Sequence, residues 1–151
     1  MLSLQQVKTL VSSGNVEEQE VLALLQTMAS EDEELCAWTD DALQQIDSIS
    51  PHLAGEIAVF CMDRCSSIAL WACKLVARVK QQEAESDLLQ TSLAIALAQH
   101  SSVSVQQSAA AALATFEGLT DQSRHALQSK IDAPDPRLRR LVRRALERRA
   151  A

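Results

Sequence analysis

Four stretches of this chain align with one another without gaps, and their shared pattern dictates a stack of helices. They begin at Leu35, Ile68, Val105 and Leu138, so the successive spacings are 33, 37 and 33 residues. With each first residue taken as position 0, apolar or small residues recur at 0, +3, +4, +7, +8 and +11. The first copy places Leu35, Trp38, Thr39, Ala42, Leu43 and Ile46 there, and the second Ile68, Trp71, Ala72, Leu75, Val76 and Val79. The third has Val105, Ser108, Ala109, Ala112, Leu113 and Phe116; the fourth has Leu138, Leu141, Val142, Ala145, Leu146 and Arg149. This spacing is one face of an α-helix. Position −3 holds Asp32, Cys65, Ser102 and Asp135. Three of these have side-chain oxygens suited to the unpaired N–H groups of a first helical turn. Pro136, directly after Asp135, adds the residue best tolerated at the first helical position.

A second helix precedes each copy. Positions −11, −8 and −7 read Leu24, Thr27 and Met28; Ile57, Phe60 and Cys61; Ala94, Leu97 and Ala98; then Leu127, Lys130 and Ile131. Asn15 and Ser50-Pro51 read as start signals, and Gly14 and Gly118 as stops. Residues 2–12 supply one further, leading helix. Gly and Pro total only six, too few for a strand-and-turn protein, so the expected class is all-α. One helix pair cannot bury its apolar face alone, so neighbouring pairs must stack. The length of 151 residues suits a single domain over 1–151.

The stretch Asp135-Pro136-Arg137-Leu138-Arg139, followed by Val142 and Ala145-Leu146, resembles the second-helix signature of HEAT repeats, including those of phycobilin lyase subunits. Val105-Gln106 with Ala109, Ala112 and Leu113 is similar to it more loosely. The resemblance implies a right-handed α-solenoid of about four HEAT-like helix pairs plus a leading helix. It further implies that the second helices line a concave surface where partners bind.

Charge is unevenly distributed. The net charge is −6, yet residues 1–50 hold ten acids against Lys8 alone, and residues 135–151 hold seven Arg against Asp135 and Glu147. The start Met1-Leu2-Ser3-Leu4 runs into Gln and Lys rather than an apolar segment, and no apolar stretch reaches membrane-spanning length. The expectation is therefore a cytoplasmic protein with reduced cysteines and no membrane contact.

No residue grouping points to catalysis or to a cofactor. Cys61 and Cys65 lie four apart with His52 upstream, but Cys61 occupies a core column and Cys65 a cap column. His52, His100 and His125 have no nucleophile or carboxylate set around them, and read as solvated or structural. The three glycines are isolated, so there is no phosphate loop. Trp38 and Trp71 share position +3 of adjacent copies, which reads as core.

The informative surface is positions +5 and +6 of the second helices. Along the array they read Asp40-Asp41, Cys73-Lys74, Ala110-Ala111 and Arg143-Arg144. On the implied concave face this is a groove running from acidic, through small and apolar, to basic. Its middle is formed by Ala69, Leu70, Cys73, Ala77, Ala110, Ala111 and Ala114, residues equally suited to close helix packing. The last helix gathers like charges at i,i+4, such as Arg139/Arg143, Arg140/Arg144 and Arg144/Arg148, each unfavourable by about 0.2–0.5 kcal/mol. An anionic partner offsets that repulsion, and a polar end cap explains the same residues without one.

The leading expectation is a non-enzymatic scaffold that binds a protein partner along the second helices, the Arg-rich terminal helix favouring an acidic one. Its contact residues are Asp40, Asp41, Leu70, Cys73, Lys74, Ala110, Ala111, Arg140, Arg143 and Arg144. The alternative is nucleic-acid or phosphate binding by the Arg-rich terminal helix, which the acidic first third disfavours. The opposite charges of the two ends also raise weak head-to-tail self-association as an alternative to a monomer.

Overall fold

The computed structural model describes residues 1–80 and 86–150, with side chains described as far as Glu147. Arg148 and Arg149, the latter at +11 of the last copy, have side chains outside that range. Nine α-helices and no strand are formed by the described residues. They are α1 (Leu4–Ser13), α2 (Glu18–Thr27), α3 (Glu33–Gln44), α4 (Pro51–Ala58), α5 (Ser66–Val76), α6 (Ser86–Gln99), α7 (Val103–Leu113), α8 (Asp121–Ser129) and α9 (Pro136–Ala150). A 3-10 turn, Val59–Met62, extends α4. The even-numbered helices each pair with the next odd-numbered one, and α1 leads.

Capping chemistry fixes most of the boundaries. Asp32 accepts from the backbone N–H of Glu34 and Leu35, Ser50 from Leu53, and Ser102 from Val105. Asp135 accepts from Leu138 at 2.8 Å and from Gln107 of the preceding repeat at 2.8 Å. Both bonds favour the ionised form, so the Asp135 carboxyl is held below its usual pKa. Gly14 ends α1 with φ 67°, a left-handed conformation that glycine adopts without a Cβ penalty. Two expected signals fall elsewhere. Glu17, not Asn15, caps α2. Gly118 is not a helix stop, because α7 already closes at Leu113 with Ala114 as its cap residue. Its carbonyl instead accepts from the buried Gln90 amide at 2.6 Å.

The repeat columns form the core. Position 0 (Leu35, Ile68, Val105, Leu138), position +4 (Thr39, Ala72, Ala109, Val142) and position −11 (Leu24, Ile57, Ala94, Leu127) are buried in every copy. Burying a Leu, Ile or Val side chain fully stabilises by about 1.5–3 kcal/mol. Thr39 is tolerated there because its hydroxyl donates to the Leu35 carbonyl at 2.7 Å. Position −7 departs from expectation. Cys61 is buried, but Ala98 and Ile131 are exposed and Met28 is only partly covered. It lies near the end of the first helix of each pair, where only the Val59–Met62 turn, packed on α5 and α6, covers its residue fully. His100 is buried at one such turn, with Nε2 3.0 Å from the Asp63 carbonyl and Nδ1 accepting from the Ser102 N–H at 3.0 Å.

Helix contacts follow two rows. Among the first helices of the pairs, α4 packs on α6 and α6 on α8; among the second helices, α5 packs on α7 and α7 on α9. At the leading end α1 packs on α3. The second row is interrupted once, because α3 and α5 scarcely approach each other. Side chains and one backbone link span the gap. Trp71 Nε1 donates to Asp40 at 2.9 Å, and Arg78 Nη1 donates to the carbonyls of Leu43 and Ile46 at 3.0 and 2.8 Å. The Ile49 N–H reaches the Arg78 carbonyl at 3.2 Å, within an isolated parallel bridge between Ile49 and Val79.

Candidate functional site

The second helices α5, α7 and α9, with the end of α3, enclose an open groove of about 730 Å³. Leu70 and Lys74 of α5, with Ala77 and Arg78 just after its end, face it, and α7 adds Ser104, Gln107, Ser108 and Ala111. Arg137 and Leu141 close it from α9, and Gln44 from α3. These residues sit at −1, +2, +3, +6, +9 and +10 of their copies. They form one stripe because residues three and four apart share a helix face.

The stripe differs from the face expected at +5 and +6. Leu70, Lys74 and Ala111 do line the groove. Cys73 and Ala110, both at +5, are 0% exposed and cannot contact a partner. Ala69 is equally buried, whereas Ala77 and Ala114 are half-buried. The physical reason is that α5 and α7 each pack against a first helix and against second-row neighbours, which leaves only a narrow strip uncovered. Cys73 faces inward to Cys61, and the sulfur–sulfur hydrogen bond, together with burial, pushes its thiol pKa well up.

The charged residues also redistribute. Asp40 is tied up at the groove's edge, with one carboxylate oxygen accepting from Trp71 and the other from Gln44 Nε2 at 2.7 Å. Asp41 is exposed but does not line the groove. Arg140, Arg143 and Arg144 are exposed on α9 outside it, and Arg143 pairs with Asp132 at 3.5 Å. Arg139 donates to the Ala133 carbonyl at 3.0 Å and so braces the turn before α9. The groove is therefore not graded from acidic to basic. Its lining holds three cations, Lys74, Arg78 and Arg137, and no acid.

Trp71 organises the centre. Its ring is 2% exposed, with Lys74 Nζ 4.7 Å and the Arg78 guanidinium 5.6 Å from the ring centroid. Cations over an indole face are attracted by its quadrupole. Burial lowers the Arg78 pKa, and Asp47 opposes that shift. The sequence pattern places Trp71 in the core and Arg137 among the arginines of the last helix, and does not single out Arg78 or Gln107. An i±4 ladder drawn from Lys74 reaches Leu70 and Arg78, and would have found part of the stripe.

Other sites hold less. A cavity of about 670 Å³ at the start of α6 is lined by Asp87, Glu117 and Asp121 among others, with no cation among the described lining residues. No group of three or more His, Cys, Asp or Glu side chains among the described residues could hold a metal ion. No helix among them is long and apolar enough to cross a membrane. The leading helix α1 carries only Lys8 as a charged residue, and Lys8 pairs with Glu34 at 3.5 Å. The acids of the first third thus sit on α2, α3 and the turns flanking them rather than on α1. No family model matches the sequence, and no curated protein matches it.

Proposed function

We propose that the chain is a HEAT-like right-handed α-solenoid of four helix pairs with a leading helix, acting as a non-enzymatic protein-binding module in the cytosol. The two-row contact order from α4 onward, with first helices on first helices and second on second, supports the solenoid. The binding role rests on one observation. Leu70, Ala77, Ala111 and Leu141 bring apolar side chains to the same open groove as Lys74, Gln107 and Arg137. A partly apolar concavity with a few convergent polar groups is the usual form of a recognition surface.

Ala111 is exposed on the groove side of α7, so a large side chain is accommodated there without disturbing the core. Affinity purification from the native cell, comparing the natural chain with Ala111→Arg and Leu70→Glu, tests the reading. The expected result is loss of the co-purifying partner at unchanged helicity. Retention of the same partners by both variants overturns it.

Nucleic-acid binding is a second reading, favoured by Arg140 and Arg144, which are exposed and without an ionic partner among the described residues. Phosphate contacts release counterions, so such binding must weaken steeply with salt. Anisotropy of labelled duplex DNA at about 50 mM salt, with no binding seen, eliminates it.

A further inference from the structure

We infer that the groove's ligand is a carboxylate-rich, extended segment of a partner protein, held by Lys74, Arg78 and Arg137. The inference rests on the groove being the interaction surface and specifies what it recognises. The chain has twenty acids against fourteen bases, so a groove lined by three cations and no acid runs against the overall balance. The carboxylate at its edge, Asp40, already accepts from Trp71 and Gln44. Lys74 has no carboxylate within ion-pair distance among the described residues and rests on the Trp71 ring. Arg78 is anchored by its bonds to Leu43 and Ile46, which fixes its guanidinium at the rim and reduces the ordering needed to receive an anion.

Two features favour an acidic polypeptide over a nucleic acid. Trp71 is 2% exposed, so the groove presents no aromatic face for base stacking. Leu70, Ala77, Ala111 and Leu141 line the same groove as the cations and suit the apolar side chains of a peptide. A long polyanion would also meet the acids of the first third, whereas a short acidic segment in the groove meets a lining of three cations, with the nearby Asp40 already hydrogen-bonded.

The test uses the full chain and fluorescein-labelled deca-glutamate, with deca-serine and single-stranded oligo-thymidine of equal length as comparisons, read by anisotropy at about 50 and 300 mM salt. Deca-glutamate is expected to bind, more weakly at the higher salt, and deca-serine not at all. K74E/R137E should weaken binding at least about tenfold, and R140E/R144E, outside the groove, less than about twofold. If circular dichroism shows that K74E/R137E is unfolded, K74Q/R137Q replaces it, with a loss of at least about threefold expected. Absence of deca-glutamate binding, tighter binding of oligo-thymidine, or an equal loss in R140E/R144E overturns the inference. If deca-glutamate fails while the cellular partner is still lost in Ala111→Arg, the groove remains the interaction surface and only its acidic ligand is refuted. If Ala111→Arg also retains its partner, the groove itself is refuted.

Discussion

The indole nitrogen of Trp71 donates to the carboxylate of Asp40 at 2.9 Å, and this bond crosses the one place where the second helices do not pack directly. On one side lie α1 to α3; on the other, α4 to α9 form a continuous set of contacts. Besides the packing of α2 on α5, the seam is spanned by these polar groups and the Ile49–Val79 bridge, so it should be the first part of the molecule to open. Trp71→Phe removes the donor and keeps a ring, and should lower stability by about 1–2 kcal/mol. Native-state hydrogen exchange should show amides of α1 to α3 losing protection while α6 and α7 keep theirs. A uniform loss across all helices contradicts this seam.

Arg78 closes the same seam from its other end. Its Nη1 satisfies the carbonyls of Leu43 and Ile46 at and beyond the end of α3. Arg78→Ala leaves the Ile46 carbonyl without this donor, whereas Leu43 still accepts from the Ile46 N–H, and should lower stability by about 1–2 kcal/mol in urea unfolding. Arg78→Lys should recover only part of the loss, because an ammonium cannot reproduce the planar, fixed donor set of a guanidinium. Full recovery by lysine would mean that charge alone matters at this position.

Asp135 gives the protein a predictable acid response. Its pKa is depressed chiefly by the bond from the Leu138 N–H, then by that from Gln107. A carboxyl with a depressed folded pKa contributes stability above its unfolded pKa and loses it as pH falls through the folded value. Asp135→Ala should therefore be less stable than the natural chain at neutral pH. The two should converge as pH falls below the usual carboxylate range, about pH 3.9. Urea midpoints across that range measure it, and a constant difference at all pH values rules it out.

Cys73 and Lys74 are adjacent in sequence but opposite in exposure. Cys73 should resist thiol reagents in the native state, since it is 0% exposed and its thiol pKa is raised by the bond to Cys61 and by burial. It should react only on unfolding, as followed by mass spectrometry of alkylated peptides. Cys73→Ala should lower stability by about 1 kcal/mol and leave deca-glutamate binding unchanged. Labelling of Cys73 in the folded chain at the rate of an exposed thiol contradicts the inward orientation.

Much of the fold was legible because helices carry their own signals. The 0/+4 column, the −11 column and the caps Asp32, Ser50, Ser102 and Asp135 depend on contacts a few residues apart or on a stripe that any stacking must bury. The glycine signals were less dependable. Gly14 has the positive φ that makes glycine useful at a helix end, whereas Gly118 lies in the loop after α7, where its carbonyl serves the Gln90 amide.

The sequence by itself determined that this chain forms paired helices, where most of them start, and which stripe of each is buried, since period and capping are local properties. Only the tertiary structure decided which of the remaining faces stays open. That depends on how many neighbours cover a helix, and it buried Cys73 and Ala110 while leaving Leu70, Lys74 and Ala111 in the groove. It also decided the charge of that groove. Arg78 and Arg137 lie 59 positions apart in the chain, and only the stacking of α5, α7 and α9 brings them to one cavity.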